Sequence, residues 1–389
     1  MDITPSTAEI AHSQQLAGKI LSEITANNGQ ISFSKYMAMA LYAPGLGYYA
    51  SGTTKFGSKG DFTTAPELSP LFGATIVQTL LPILKALKLK GLPTQILEFG
   101  AGSGALAESI LNALQDTDFQ IDGYQILDLS ADLIERQKDR LKNRSEKISW
   151  LTNLPESFNG VILANEVIDA MPVDIVTLHQ DQWHYLDVKN TPHQNVIAFE
   201  FCQGDRVPDH LIPTHLNKAQ LNNGYTTEIH PNAVAWINSL AERLNTGAIL
   251  TFDYGFAGHE YYHPQRSQGT LIAHYRHHAV QDPFFYPGIC DLTAHVDWSE
   301  IAKTATANKL TLLGFTSQAA YLLNAGIAQL MLSIADPSDV QAYMPMANAL
   351  QKLLSEAEMG ELFKVLCLGK NIDFSEGELP GFTGKLRAL

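Results

Sequence analysis

Cysteine is scarce in this chain. There are three, Cys202, Cys290 and Cys367, far apart and without the CxxC spacing of a zinc site. A disulfide framework and a cysteine-bound zinc are excluded, and a reducing compartment is expected. Cations are also few: 26 Lys and Arg stand against 40 Asp and Glu, a formal charge of −14. A phosphate footprint needs clustered cations, so nucleic acid and anionic membranes are not expected as partners. No apolar run approaches the ~20 residues of a membrane helix. The longest candidate, residues 319–334, is shorter and carries Gln and Asn. The first thirty residues lack a basic segment followed by an apolar one, and they carry Asp2, Glu9 and Glu23. A cytosolic (cytoplasmic) protein is therefore expected. There is no internal repeat, low-complexity tract or Gly/Ser linker. A G-x-S-x-G elbow is missing, and no Lys follows the glycine-rich stretch at 100–104, which argues against hydrolase and P-loop nucleotidase chemistry.

What is present is ordinary globular material: 389 residues, 45% hydrophobic and 17% charged. Apolar spacing predicts an amphipathic helix over 6–28, a short helix over 34–41 and another from 70 to about 89. A Gly-, Pro- and aromatic-rich stretch over 42–71 is too long for a simple connection and has the character of a lid. Strands are expected at 95–99, 124–128, 148–151, 160–164 and 248–253, with helices at 105–114 and 131–142. Such alternation predicts an α/β, doubly wound, mostly parallel sheet. Residues 173–200 alternate as antiparallel strands, and 231–244 return to helix. Residues 297–334 read as helical with an interruption near 310–315, and 363–368 as a final strand. The expected organisation is an N-terminal helical and lid region (1–90) and the first part of the core (91–172). An insertion of strands and helix (173–247) follows, then the rest of the core with a helical insertion and C-terminal strand (248–389).

The sharpest local signal is Glu98-Phe99-Gly100-Ala101-Gly102-Ser103-Gly104, after an apolar strand and before a helix. Glycines let a ligand approach the main chain, and the helix start presents free N–H groups. Gly100, Gly102 and Ala105 satisfy the loose dinucleotide pattern, and Asp128 lies where a ribose-binding acid belongs. Loop and acid alone do not separate a nicotinamide dinucleotide from another adenosine cofactor. The fuller form, E-x-G-x-G-x-G with Gly104, resembles motif I of class I S-adenosyl-L-methionine methyltransferases. That resemblance implies that the loop meets the methionine part, Asp128 the ribose and Asn153 the adenine.

Further blocks extend the likeness: Tyr42-Ala-Pro-Gly-Leu-Gly-Tyr-Tyr49 and the stretch from Gly60 to Gly73; Ala164-Asn-Glu-Val-Ile-Asp-Ala-Met-Pro172; Asp253-Tyr-Gly255 with Asp291-Leu-Thr-Ala-His-Val-Asp297; and segments at 314–319, 359–365 and 380–382. Together they resemble the MidA-type methyltransferase family, which includes the mitochondrial complex I assembly factor 7. The family often has Phe-Phe at Val167-Ile168 and Glu at Asp128. The resemblance implies a Rossmann-like core with inserted substrate elements and S-adenosyl-L-methionine as cofactor. In the mitochondrial member it implies methylation of a protein arginine on a complex I subunit. A non-catalytic assembly factor and a small-molecule methyltransferase are the alternatives.

Methyl transfer needs an aligned, desolvated acceptor, and carboxylates can hold a guanidinium in a fork. Glu166 and Asp169, at the carboxyl end of the fourth strand, are expected to bind it, with Asn165 shaping the site; Asp169 could instead only cap the next segment. Thr63 and Thr64 are expected at the cofactor's methionine end and Glu67 at its ammonium or at the substrate; alternatively Asp61, Thr64 and Glu67 are loop and N-cap residues. His295 is expected either as a proton acceptor or as a structural histidine. His274 and His278 would make a zinc pair only on a helix. Tyr254 and Phe256 either wall the acceptor pocket or simply pack. The expected partner is a cationic, arginine-bearing protein segment. Residues 319–334 suit a homodimer interface as well as core.

Overall fold

The computed structural model describes residues 4–51, 64–191, 197–375, 377–383 and 389. The alternating segments form one sheet with strands β1 (Gln95–Phe99), β2 (Gly123–Leu127), β3 (Ile148–Leu151), β4 (Phe158–Asn165), β5 (Leu244–Phe256), β6 (Thr311–Ser317) and β7 (Phe363–Lys370). Their order is β3-β2-β1-β4-β5-β7-β6, and the short Val296–Asp297 strand beside β5 makes the sheet eight-stranded. The first five run parallel. β7 is antiparallel to both neighbours.

Side-chain alternation sends β1 and β4 residues to two different cores, as a sheet covered on both faces requires. Ile96, Val161 and Leu163 pack with the Pro70–Leu89 and Ala105–Gln115 helices. Leu97, Ile162 and Ala164 pack with the Pro231–Arg243 and Trp298–Ala307 helices. Ser69 caps the Pro70–Leu89 helix, its hydroxyl accepting from the Leu71 N–H at 3.2 Å. Gly73 lets that helix touch its neighbour, because a Cβ there would lie 1.9 Å from Ser109 Oγ.

One expectation changes and one is sharpened. Pro70–Leu89 is 20 residues long and apolar enough to cross a membrane by length and composition, so an apolar run near membrane length does exist. Most of its apolar window is buried inside the protein, which explains that composition without a bilayer. The interruption expected near 310–315 within residues 297–334 is a strand. β6 lies between the Trp298–Ala307 helix and the Gln318–Asn324 and Ile327–Ile334 helices. Its Thr, Leu and Phe content suits a strand, and pairing with β7 decides the matter.

The mid-chain segment forms an antiparallel sheet of Asp174–His179, Gln182–Asn190, Phe199–Arg206 and Thr226–Ile229. Its fifth strand is Gln30–Ser32, so the N-terminal segment and the mid-chain insertion share one sheet. A small third sheet joins Ile272–Tyr275, His278–Val280 and Asp291–Thr293. His274 and His278 therefore stand on the strands of a hairpin, not on one face of a helix.

Candidate active site

A cavity of about 460 Å³ opens at the carboxyl ends of β1, β2, β4 and β5. One half is built around the glycine loop. Gly100 has φ +58°, and its N–H donates to the Leu127 carbonyl at 3.0 Å, tying the loop to β2. A Cβ at this position would stand 3.1 Å from Val167 Cγ2. Gly104, at φ +85°, starts the following helix, but Gly100 and Gly102 rather than Gly104 reach the cavity wall.

Glu98 lies buried beneath the loop and accepts from the Tyr124 hydroxyl at 2.7 Å. Burial pushes its carboxyl up to about 8; the Tyr124 bond opposes the rise and Asp128 adds to it. Asp128 accepts from the Ser130 N–H at 2.9 Å and from Gln137 Nε2 at 2.8 Å. The same Gln137 nitrogen donates to the Gly102 carbonyl at 3.0 Å, while Gln137 Oε1 accepts from Trp150 Nε1 at 3.0 Å. Thus Gln137 couples acid and loop. It was missed in the sequence, although a polar residue on the buried stripe of a charged helix is the signal.

Thr64 lines the cavity, and as N-cap of the Ala65–Leu68 helix its side chain makes no capping bond. Glu67 Oε1 accepts from the Ser103 hydroxyl and from Arg140 Nη1, which lies 3.2 Å away. Arg140 also pairs with Glu108 at 3.1 Å. Glu67 thereby straps its short helix to the glycine loop. Asp61 and Thr63 lie outside the described residues. Asn153 is exposed, absent from the cavity wall, and its amide bonds Thr152 at 3.3 Å.

The opposite half is acidic and aromatic. Glu166 has φ +53°, a conformation a non-glycine residue adopts only when its surroundings enforce it. Its N–H donates to the Phe252 carbonyl at 2.9 Å. The buried Asp253 holds the rest of the turn. Its Oδ2 accepts from the N–H groups of Val167, Ile168 and Asp169 at 3.2, 2.8 and 3.1 Å, and its Oδ1 accepts from Tyr254 N–H at 2.9 Å. Asp253 thus caps residues 167–169, while the Asp169 carboxylate takes a backbone hydrogen bond from Ala170, so a capping contact accompanies any role in binding the acceptor. Asp169 is 5% exposed, and its Oδ1 has no partner among the described residues. Burial, followed by Asp253, Glu166 and Asp291, pushes its carboxyl well up.

Glu166 accepts from Asn165 Nδ2 at 3.1 Å and from the Tyr254 hydroxyl at 3.2 Å. Its enclosure pushes the carboxyl up to about 7 against those two bonds. Asp291 faces the same cavity and accepts from the Tyr49 hydroxyl at 2.9 Å. Tyr42 stacks on Tyr49 with centroids 5.6 Å apart and planes 19° from parallel. Tyr254 lines the cavity, as one of its two expected roles required; Phe256 does not.

His295 is not in the cavity wall. Its ring lies nearly parallel to Tyr254, with centroids 6.1 Å apart, so it backs that tyrosine. Burial and the cations Arg266 and Lys364 push it down to about 4, which leaves it neutral near pH 7. That placement corrects the expectation of a proton acceptor and favours the structural alternative. His274, set aside as part of a zinc pair, does line the cavity.

Comparisons with known proteins follow the same lines. The profile of a family described as putative S-adenosyl-L-methionine-dependent methyltransferases matches residues 75–316. A Caenorhabditis elegans protein named protein arginine methyltransferase NDUFAF7 homolog, mitochondrial, is 27% identical, over 94% of this chain and 90% of that protein. The Danio rerio protein arginine methyltransferase NDUFAF7, mitochondrial, is 28% identical over 90% of this chain and 85% of its own. A crystal structure of a Burkholderia thailandensis protein bound to S-adenosyl-homocysteine is similar at a TM-score of 0.90 and 43% identity, covering 99% of this chain and 98% of that one. The curated relatives are named mitochondrial, which overturns the cytosolic expectation; a missing targeting pattern is weak ground for a location. With the glycine loop, its acid and the profile in agreement, the chain belongs to the family of S-adenosyl-L-methionine-dependent methyltransferases.

Proposed function

We propose that this chain methylates arginine side chains of a protein substrate. The observation that carries the reading is the division of one cavity into a glycine-loop half and a carboxylate half. Relatives named protein arginine methyltransferases add support. So does the Burkholderia thailandensis structure bound to S-adenosyl-homocysteine.

The residues present fit an adenosine–methionine cofactor. Gly100 leaves space that a Cβ would crowd against Val167, and Asn165 Oδ1 is enclosed without a partner among the described residues, ready for an ammonium. Asp128 would hold ribose hydroxyls, while Glu98, Thr64 and the 100–104 backbone would hold the methionine end. When bound, the cofactor supplies a methyl group on a positively charged sulfur.

The chain's own residues then have three tasks. Glu166 and Asp169 attract the guanidinium and fix its plane through paired N–H bonds. Tyr254 and the Asp253-held turn keep Glu166 in one position. Replacing one guanidinium hydrogen by methyl releases one proton, and Glu166, poised at about 7, is the base placed to accept it.

Incubation with methyl-labelled S-adenosylmethionine and an arginine-bearing protein tests the reading. Methylarginine in the hydrolysate is expected. Binding of S-adenosylhomocysteine with no transfer to any protein would replace it with the non-catalytic alternative.

A further inference from the structure

One wall of the cavity has no task in that mechanism. Asp291 and Thr293, on the small third sheet, face the turn that carries Glu166 and Asp169, and Tyr42 and Tyr49 from the N-terminal segment complete the wall. Tyr49 and Asp291 are 242 residues apart in the chain, yet their side chains share a 2.9 Å hydrogen bond. The bond fixes one carboxylate oxygen, and the Tyr42 ring stacked on Tyr49 fixes the tyrosine. Tyr42 is itself anchored to the Glu166 side of the cavity, where its hydroxyl donates to the Ala170 carbonyl at 2.8 Å. The two walls are thereby held at a set separation.

Asp291 is 4% exposed and adds to the forces raising the carboxyls of both Glu166 and Asp169. Three enclosed carboxylates repel one another, and such an array is costly without a cation. Asp169 lines the same space, and its buried Oδ1 has no partner among the described residues. A guanidinium offers donors along several edges of one plane, whereas an ammonium offers a compact, strongly hydrated charge. Carboxylates on two walls beside flat tyrosine rings suit the former. We propose that Asp291, held by Tyr49, is a specificity-determining residue that forms with Glu166 and Asp169 a two-walled clamp selecting guanidinium over ammonium acceptors. The proposal rests on the arginine acceptor of the preceding section.

The test is calorimetry on the full chain saturated with S-adenosylhomocysteine. The probes are a ten-residue peptide with one arginine and the same peptide with lysine. Wild type is expected to prefer the arginine peptide by about tenfold or more, and Asp291→Asn to reduce that preference to about twofold or less. S-adenosylhomocysteine affinity should stay unchanged. Tyr49→Phe, which keeps the ring, should give an intermediate ratio, and it supplies the test should Asp291→Asn fail to fold. A folded Asp291→Asn with the wild-type ratio overturns the clamp, as does a wild type that binds the two peptides equally or binds neither. Methyl transfer by wild type separates the two claims. Transfer to arginine with an unaltered Asp291→Asn ratio sinks the clamp alone, whereas transfer only to amines sinks the arginine acceptor itself.

Discussion

The two halves of the cavity are built in opposite ways. The glycine-loop half comes from consecutive pieces of chain, β1 with its loop and β2 with Asp128, and Gly100 and Gly102 bring bare backbone to its wall. The carboxylate half is assembled from side chains at 42–49, 165–169, 254 and 274–293, brought together from the N-terminal segment, the eight-stranded sheet and the three-stranded sheet. A backbone-lined site fails when space is filled. A side-chain site fails when charge or hydrogen bonding is removed. Substitutions can therefore damage one half and spare the other.

The largest separation is expected for Glu166→Gln. Removing the base should lower methyl transfer by about 100-fold or more, with S-adenosylhomocysteine affinity unchanged by calorimetry. Gly100→Ala is the mirror image. At φ +58° an added Cβ costs about 1–2 kcal/mol and crowds Val167, so cofactor affinity should fall by about tenfold. Asp253→Asn strikes the turn itself. An amide keeps one acceptor oxygen, so its NH2 must oppose either the three turn N–H groups or the Tyr254 N–H, and stability should fall by about 1–3 kcal/mol, read from urea midpoints. If the turn serves the acceptor half, the folded variant also loses turnover more than cofactor affinity.

A pH series sharpens the same comparison. Glu98 on one side and Glu166 on the other hold protons up to about 8 and about 7 in the folded chain, against an ordinary value of 4.5. The folded state thus binds more protons than the unfolded state in that window. Their contribution to stability is complete below the ordinary value and is lost as pH rises through 7 and 8. The ligand-free Tm should decline over that range, and Glu98→Gln should flatten the upper part. The smallest effect is expected for Arg140→Ala. Its pairing with Glu67 is partly exposed, worth about 0.5 kcal/mol, so cofactor affinity should change by about twofold.

The same contrast explains what could be read in the sequence. Gly100, Gly102 and Asp128 were legible because the strand, tight turn and helix that place them are local. Glu166 and Asp169 were legible because they follow a strand whose carboxyl end must face the ligand side of the sheet. Asp291 lay within a visible motif but carried no acceptor-binding role, only that of a hydrogen-bond partner for a structural His295, since only long-range packing brings it to Tyr49. Likewise, no spacing rule reveals that Asp253 would reach back to the turn after β4. His295 drew attention by its chemistry, while the intervening Tyr254 ring is a fact of packing. The adenine assignment for Asn153 came from position after a strand, and that side chain projects into solvent. β6 was hidden because its partner strand lies some fifty residues onward.

The most direct test of a divided cavity measures S-adenosylhomocysteine affinity and methyl transfer at saturating cofactor in Gly100→Ala and Glu166→Gln side by side. Gly100→Ala should bind the cofactor product weakly and recover transfer once saturated. Glu166→Gln should bind it normally and remain slow at any cofactor concentration. Equal losses of both properties in both folded variants would contradict the account.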